Sequence, residues 1–324
     1  MRILFVWPGF TGYMGDCWRA LKAQPGVTLK VFIDGVGLGE RFSETTMVGL
    51  DWERVDVEGA IARTLDYHPD VIVVVGWRRA VPLKIAFAGE LQSIRKFLVM
   101  DMPWRWSLRC FAARFALARY VRRFDGVLVH GESSARYAQW LGFSRVFQHS
   151  ICGVDLSRFA SCAKADGERR GFLFVGRPSP EKGIEVLKSA AERYRQLGGT
   201  WPVTVPEWLA PEQVPQMMGS HACLVLPSKW EPWGVVVAEA KAAGMNMIVS
   251  DRVLAREDLP CDAVFAAGDI EGLAQAMLRL EQLPLHVEEN RRQVATFSTQ
   301  AWAKRILSIC GACGGNEEME VKVK

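Results

Sequence analysis

Residues 71–75 read Val-Ile-Val-Val-Val, five apolar residues in a row with no polar alternation. Successive side chains of a strand point to opposite faces, so a strand with one wet face would alternate. An unbroken β-branched run belongs instead to a strand buried on both faces, as in a parallel sheet covered by helices. Short apolar runs recur at Ile3–Trp7, Val27–Ile33, Phe97–Met100 and Gly126–Val129, separated by amphipathic stretches. Strands and helices alternating in this way predict a doubly wound α/β domain.

The pattern restarts after Cys152-Gly-Val-Asp155. Strands are predicted at Gly171–Val175, Cys223–Leu226 and Met247–Val249. A helix is predicted over Glu181–Leu197, with Ile184, Leu187, Ala190 and Ala191 on one face and a Gly198-Gly199 stop. Further helices are predicted from about Gly234 to Ala243 and at Ile270–Leu280, Val287–Val294 and Gln300–Ile309. The chain has 324 residues, room for two units of about 150 residues each. The expected division is 1–152 and 153–300, with 301–324 a C-terminal helix that packs back on the first domain and a frayed tail. Ligands of such sheets bind beyond the carboxyl ends of the strands, so the residues after each strand are the ones to inspect.

Composition narrows the function. Apolar residues make up 49% and charged residues 23%, which suits packed cores and excludes a disordered chain. The net charge of +4 excludes a histone-like or strongly acidic protein. Eight scattered Cys do not form a disulfide framework, and the one Cys-x-x-Cys pair, Cys310 and Cys313, has no second pair to complete a zinc site. The first residues lack the long apolar region of a signal peptide, and no run of 18 or more apolar residues occurs. A cytoplasmic protein is therefore expected, with any membrane contact peripheral.

Two strand ends carry chemistry. After Leu226 the chain reads Pro227-Ser-Lys-Trp-Glu231-Pro-Trp-Gly234-Val235-Val-Val-Ala-Glu239. Glu231 falls in the turn before a helix and Glu239 about one and a half turns into it. Gly234 lets backbone approach a ligand, and the free N–H groups of a first helical turn favour an anion. Carboxylates that accept from hydroxyls beside amides that hold phosphate suit a sugar phosphate. Taken alone, two Glu at this spacing favour an ordinary capped helix. After Val175 the chain reads Gly176-Arg177-Pro-Ser-Pro-Glu-Lys182-Gly183. Arg177 and Lys182 could grip a pyrophosphate there, or be two solvated loop cations.

Together the two motifs, Gly-Arg-x4-Lys-Gly and Pro-Ser-x2-Glu-x2-Gly-x4-Glu-Ala, resemble those of the retaining glycosyltransferases of family 4. Gly153-Val-Asp155-x3-Phe159 resembles that family's interdomain connector, and Gly268-Asp269 its late segment. The resemblance implies a GT-B fold, two Rossmann-like parallel-sheet domains facing across a cleft. It implies that Arg177 and Lys182 neutralise the donor diphosphate, that Glu231 contacts the donor sugar, and that the Gly234 and Val235 amides hold sugar or phosphate. Glu239 would hold the ribose hydroxyls, and the Gly9–Gly12 loop would face the diphosphate from the first domain. The donor would be a UDP- or GDP-sugar with no obligatory metal or cofactor, and the chain has no Asp-x-Asp motif.

Two features depart from the family pattern. Where members place a His near the reacting sugar, this chain offers Asp101 at the end of one strand and His130 at the end of another. Asp101 is otherwise a turn residue before Pro103, and His130 a strand-end His bonded to backbone. Between Leu197 and Cys223 there is room for one strand, Pro202–Pro206, and one short helix, Glu212–Met217, so one β/α unit of the second domain is expected to be missing.

The stretch Trp104–Arg123 holds six Arg and no acid. At about 100° per residue, Arg105, Arg109, Arg119 and Arg123 share a stripe beside an apolar face of Leu108, Phe111, Phe115 and Ala118. This is either a packed helix with a solvated basic edge or a surface for anionic lipid or a lipid-linked acceptor. Nucleic acid is a weaker fit, because no recognised binding motif accompanies the patch. Twelve Trp against five Tyr is an unusual ratio, and Trp7, Trp104, Trp230 and Trp233 adjoin the predicted cleft loops, where they are expected to face sugar.

The sequence thus points to transfer of a sugar from a nucleotide-diphosphate sugar to a saccharide or lipid-linked glycan, in cell-envelope polysaccharide or glycolipid synthesis. A nucleotide-sugar epimerase or hydrolase, and a non-catalytic nucleotide-sugar-binding protein, are the alternatives.

Overall fold

The structure, a computed structural model, describes residues 1–35, 44–105, 107–177, 179–207 and 209–311. The tail beyond Gly311, with Cys313, lies outside the described residues.

The first sheet consists of β1 (Arg2–Trp7), β2 (Thr28–Ile33), β3 (Asp51–Arg54), β4 (Val71–Val75), β5 (Arg95–Val99), β6 (Gly126–Leu128) and β7 (Val146–Phe147). Its order is β3-β2-β1-β4-β5-β6-β7, and every pairing is parallel. The Val-Ile-Val-Val-Val run lies at the centre, with Ile3 opposite Val71 on one side and Val75 opposite Val99 on the other. Alternate residues feed two different cores: Ile3, Phe5, Val71 and Val73 enter one, and Leu4, Val6, Ile72 and Val74 the other. Burial on both faces is why the run shows no alternation. The strands that sequence patterning missed are the edges. β3 reads Asp-Trp-Glu-Arg, its charges pair with Lys30, and a polar, charged edge of this kind resists pairing with another chain.

Helices α1 (Gly12–Lys22), α2 (Ala60–Tyr67), α3 (Ala80–Phe87), α4 (Leu108–Val121) and α5 (Glu132–Leu141) cover this sheet. The second domain adds α6 (Leu156–Ser161), α7 (Ile184–Gln196), α8 (Val214–Ser220), α9 (Val235–Ala242), α10 (Ile270–Glu281), α11 (Val287–Val294) and α12 (Thr299–Gly311). Its sheet holds β8 (Phe172–Leu173), β9 (Val203–Thr204), β10 (Cys223–Leu226), β11 (Asn246–Ser250) and β12 (Ala263–Phe265), ordered β12-β11-β10-β8-β9 and again parallel. Between α7 and β10 the described residues hold β9 and α8 alone.

The chain crosses between the domains twice, and the crossings lie against each other. Val154 forms a parallel bridge with Ser298, its N–H donates to the Phe297 carbonyl at 2.8 Å, and the Thr299 N–H donates back to Val154 at 3.1 Å. A Cβ on Gly153 would stand 2.8 Å from the Ser298 carbonyl oxygen, so only Gly allows this approach. After the second crossing, α12 packs on α1. The Trp302 ring lies 6.2 Å from Phe5, and its Nε1–H donates to the Ser150 carbonyl at 2.9 Å.

In each sheet the strand order reverses once, between β1 and β4 and between β8 and β10. A crevice opens beyond the carboxyl ends of the strands at such a point. The loops that follow β8 and β10 carry the two motifs, so topology alone brings them together.

Candidate active site

A cleft of about 300 Å³ lies between the domains. Gly12, Arg177, Lys182, Glu231, Gly234, Val235 and Glu239 all line it. These are seven of the residues that sequence motifs assigned to a donor.

The two loops of the second domain are locked together. The Lys229 N–H donates to the Glu181 carbonyl at 2.7 Å. Gly183 ends the short turn Pro180–Lys182 at φ 68°, and a Cβ there would stand 2.1 Å from the Pro227 carbonyl oxygen. This contact, open to Gly alone, sets Lys182 beside Glu231, and their side chains form a hydrogen-bonded ion pair. Glu231 is buried, and its backbone is fixed by a bridge to Val253. Arg177 projects exposed at the rim. Gly234 adopts φ 97° as the N-cap of α9, and no side chain caps that end. The free amides of the first turn therefore face the cleft.

Glu239 sits one turn further along α9. Burial pushes its carboxyl up to about 7; the nearby Arg158 works against this shift and Asp16 adds to it. Neither partner was singled out by the sequence motifs. Arg158 lies in the connector on α6, whose N-cap Asp155 accepts from its N–H at 3.2 Å. Asp16 lies four residues after Gly12, on the face of α1 that lines the cleft. Arg158 reaches Asp16 at 3.7 Å and donates to the Pro211 carbonyl at 2.7 Å. The signal available was the i+4 spacing of Asp16 from the Gly-rich loop.

From the first domain, Asp101 follows β5; it is exposed and is not among the residues that line the cleft, but it lies near enough to Glu231 to feel its charge. Crowding by protein pushes its carboxyl up, and the Glu231 charge adds to the shift. Tyr13 lies close enough to Asp101 to feel its charge and is itself pushed up by burial.

The other predicted residues lie elsewhere. Gly9 is buried beneath the loop, and only Gly12 reaches the cleft wall. His130 is buried at 3% exposure and stacks on Trp233, the rings 4.1 Å apart and 13° from parallel. Its Nε2 accepts from the Cys152 N–H at 3.3 Å, and burial holds the ring well below its ordinary pKa. It backs the cleft wall rather than lining it, because Trp233 stands against it. The expectation that Trp residues face sugar is corrected for two of the four. Trp233 donates from Nε1 to Asp258 at 2.6 Å and is buried, and Trp7 is buried edge-on against Trp18. Trp104 packs on Tyr137 and Trp140, while Trp230 lies under the Arg105 guanidinium. Arg105 thereby ties the first domain to the loop that carries Glu231.

The domain contact is completed on this side by Glu257. Its carboxylate accepts from the Ser133 N–H at 2.9 Å, capping the first turn of α5 from the opposite domain.

Residues 195–300 match the family described as Glycosyl transferases group 1. Mannosylfructose-phosphate synthase of Agrobacterium fabrum is 26% identical over 160 residues, 48% of this chain and 33% of that protein. The match therefore spans about a third of the length of that curated relative. Sucrose-phosphate synthase of Thermosynechococcus elongatus superposes with a TM-score of 0.72 at 18% identity, covering 96% of this chain and 98% of that one. Anabaena HepE, solved in complex with UDP and glucose, gives 0.71 at 15% identity, over 96% and 100%. The fold is GT-B. The chain resembles the group 1 glycosyltransferases, and its GT-B cleft is the crevice lined by Lys182, Glu231 and Glu239.

Proposed function

We propose that this chain is a retaining glycosyltransferase that moves a sugar from a nucleotide-diphosphate sugar to a saccharide or lipid-linked glycan. The observation that carries the reading is convergence. Two cations, an uncapped helix N-terminus, the buried Glu231 and the half-buried Glu239 meet in one interdomain cleft. HepE, of the same fold, was solved with UDP and glucose, which supports a nucleotide-sugar donor. In the proposed complex the diphosphate takes Lys182 and Arg177 and the amides of Gly234 and Val235. Glu231, released from Lys182, accepts from donor sugar hydroxyls, and Glu239 accepts from the ribose hydroxyls. Asp101 meets the sugar or the acceptor hydroxyl from the first domain, and His130 fixes the wall behind Trp233 as a positioning residue.

In the reaction, the bond from the anomeric carbon to the phosphate oxygen breaks, and its electron pair leaves on the diphosphate. Preorganised cations and amides stabilise that developing charge. The acceptor oxygen bonds the anomeric carbon on the face being vacated, and its proton passes to the departing phosphate oxygen. The reading places the chain in the cytoplasm, where nucleotide sugars are made, and in envelope polysaccharide or glycolipid synthesis.

Transfer by Lys182→Ala and Glu231→Gln tests it. Each variant should lose about a hundredfold or more in kcat/KM with a matched donor and acceptor. Full activity in both would refute these roles. Product formation from the donor without any acceptor would favour an epimerase or hydrolase, and absence of UDP and GDP binding by calorimetry would favour a non-catalytic protein.

A further inference from the structure

Sequence patterning left α4 with two readings, and the structure decides how the helix is turned. Its buried side consists of Cys110, Tyr120 and Val121, with Tyr120 donating to the Gly76 carbonyl at 2.9 Å. The apolar residues beside the Arg stripe face outward. Leu108 is 90% exposed, Phe115 71% and Phe111 52%. Met102, before the helix, and Phe87, at the end of α3, are also exposed. Phe111 and Phe115 lie 6.5 Å apart, and Phe111 lies 5.1 Å from Trp140, so the aromatic rings form one patch. The helix is well founded, since the N-cap Ser107 accepts from the Cys110 N–H at 3.2 Å. These side chains are therefore held outward by a fixed helix.

Along α4 and the segment before it the charge has one sign. At about 100° per residue, Arg119 falls about 20° from Leu108, and Arg122 lies between Phe111 and Phe115. Arg123 and Arg109 follow on one side, about 60° and about 100° round from Leu108, and no Asp or Glu occurs from Met102 to Phe124. Arg114 donates to the Trp140 carbonyl, and Arg123 lies over the Phe87 ring at 5.2 Å.

We propose that this face of α4 docks on an anionic lipid bilayer, with Leu108, Phe111 and Phe115 among the acyl chains and the arginines at the headgroup phosphates. An outward row of large apolar carbons is costly in water and marks an interaction surface. Its cationic surround selects a partner with negative charge at the level where the carbons enter. A second copy is the wrong complement, because a two-fold contact through this helix sets arginines against arginines. A nucleic acid backbone offers phosphates but gives the Phe and Leu side chains no apolar medium. The surface also has a connection to the cleft. The strand end that carries Asp101 runs directly into α4, and Arg105 reaches Trp230 in the Glu231 loop. Docking here presents the first-domain side of the cleft to the membrane.

The test is co-sedimentation of the full chain with phosphatidylcholine vesicles, alone or with about a third phosphatidylglycerol, at about 0.1 M and about 0.5 M salt. The chain should sediment with the anionic vesicles and not with the neutral ones. High salt should weaken binding. Arg119→Glu with Arg122→Glu should weaken it at least about tenfold at low salt. Phe111→Ser with Phe115→Ser should weaken it at both salt concentrations. All four positions are exposed, and unchanged circular dichroism and thermal unfolding would show that both variants fold. The proposal is overturned if the anionic vesicles bind no better than the neutral ones, or if either variant binds as the unaltered chain does. It is also overturned if the chain dimerises without lipid and the Phe pair variant is monomeric, or if duplex DNA binds and the Phe pair leaves that binding intact.

Discussion

Replacing Glu239 by Gln should make the protein more stable, and increasingly so as the pH rises. An unfolded Glu ionises at about pH 4.3. In the folded protein, burial raises this carboxyl to about 7. The sign follows from linkage. A group whose folded value is raised supports folding fully below its unfolded value, and that support is lost as the pH rises through the folded value. For Glu239 the window runs from about pH 4.3 to about pH 7. Each pH unit of it is worth about 1.4 kcal/mol. Between about pH 5 and about pH 8 the full difference would be about 2.5 kcal/mol. Glu239 lies on a cleft wall with some exposure to water, so screening reduces this to about 2 kcal/mol.

The assay is urea unfolding of both proteins across that pH range. The Gln amide does not titrate, so its advantage over Glu239 should grow by about 2 kcal/mol from the acid to the alkaline end. A constant gap between the two curves would refute the reasoning, because it would mean that the carboxyl ionises alike in both states. The same substitution should weaken UDP-glucose binding if Glu239 holds the ribose, since an amide accepts less strongly than a carboxylate. Binding by the unaltered chain should also weaken below about pH 7, where Glu239 takes up a proton that hydroxyl donors must displace. Stability gained with affinity lost is the usual trade at a site kept for function.

Two further substitutions probe how the cleft is built. Gly183→Ala should lower donor affinity at least about tenfold by calorimetry. The new Cβ would collide with the Pro227 carbonyl, the positive φ adds strain, and Lys182 would be pushed away from Glu231. Trp302→Ala should cost about 3–5 kcal/mol in chemical unfolding, because a fully buried ring and its bond to Ser150 are lost where α12 meets the first domain.

The sheets were legible because their strands carry the signal of their own burial. Val71–Val75 and Cys223–Leu226 fall where the apolar runs placed them. β3, β7 and β12 were not legible. They lie at sheet edges, with two to four residues each and one or no fully buried position, so they lack the periodicity that marks a strand. The donor loops were legible for a different reason. Gly183 and Gly234 stand at positive φ, which few other residues tolerate, and the charged residues beside them sit at fixed offsets from the glycines. Arg158 had no such local marker, and Asp16 had only its spacing from the Gly-rich loop. Their roles arise from a contact between α1 and α6, and only the folded chain brings those helices together.

The same distinction explains His130, Trp233 and α4. A strand-end His and a loop Trp read as cleft residues when proximity is judged along the chain. Across the domain contact they stack on each other, and both are buried. For α4 the sequence placed arginines and apolar residues side by side but could not tell which stripe turned inward. The choice rested on Cys110, Tyr120 and Val121, which form a second, less apolar stripe that packs on the sheet side. A helix with two apolar stripes can bury only one against its own domain. The stripe left over, Leu108, Phe111 and Phe115, is the one the proposed anionic bilayer would cover.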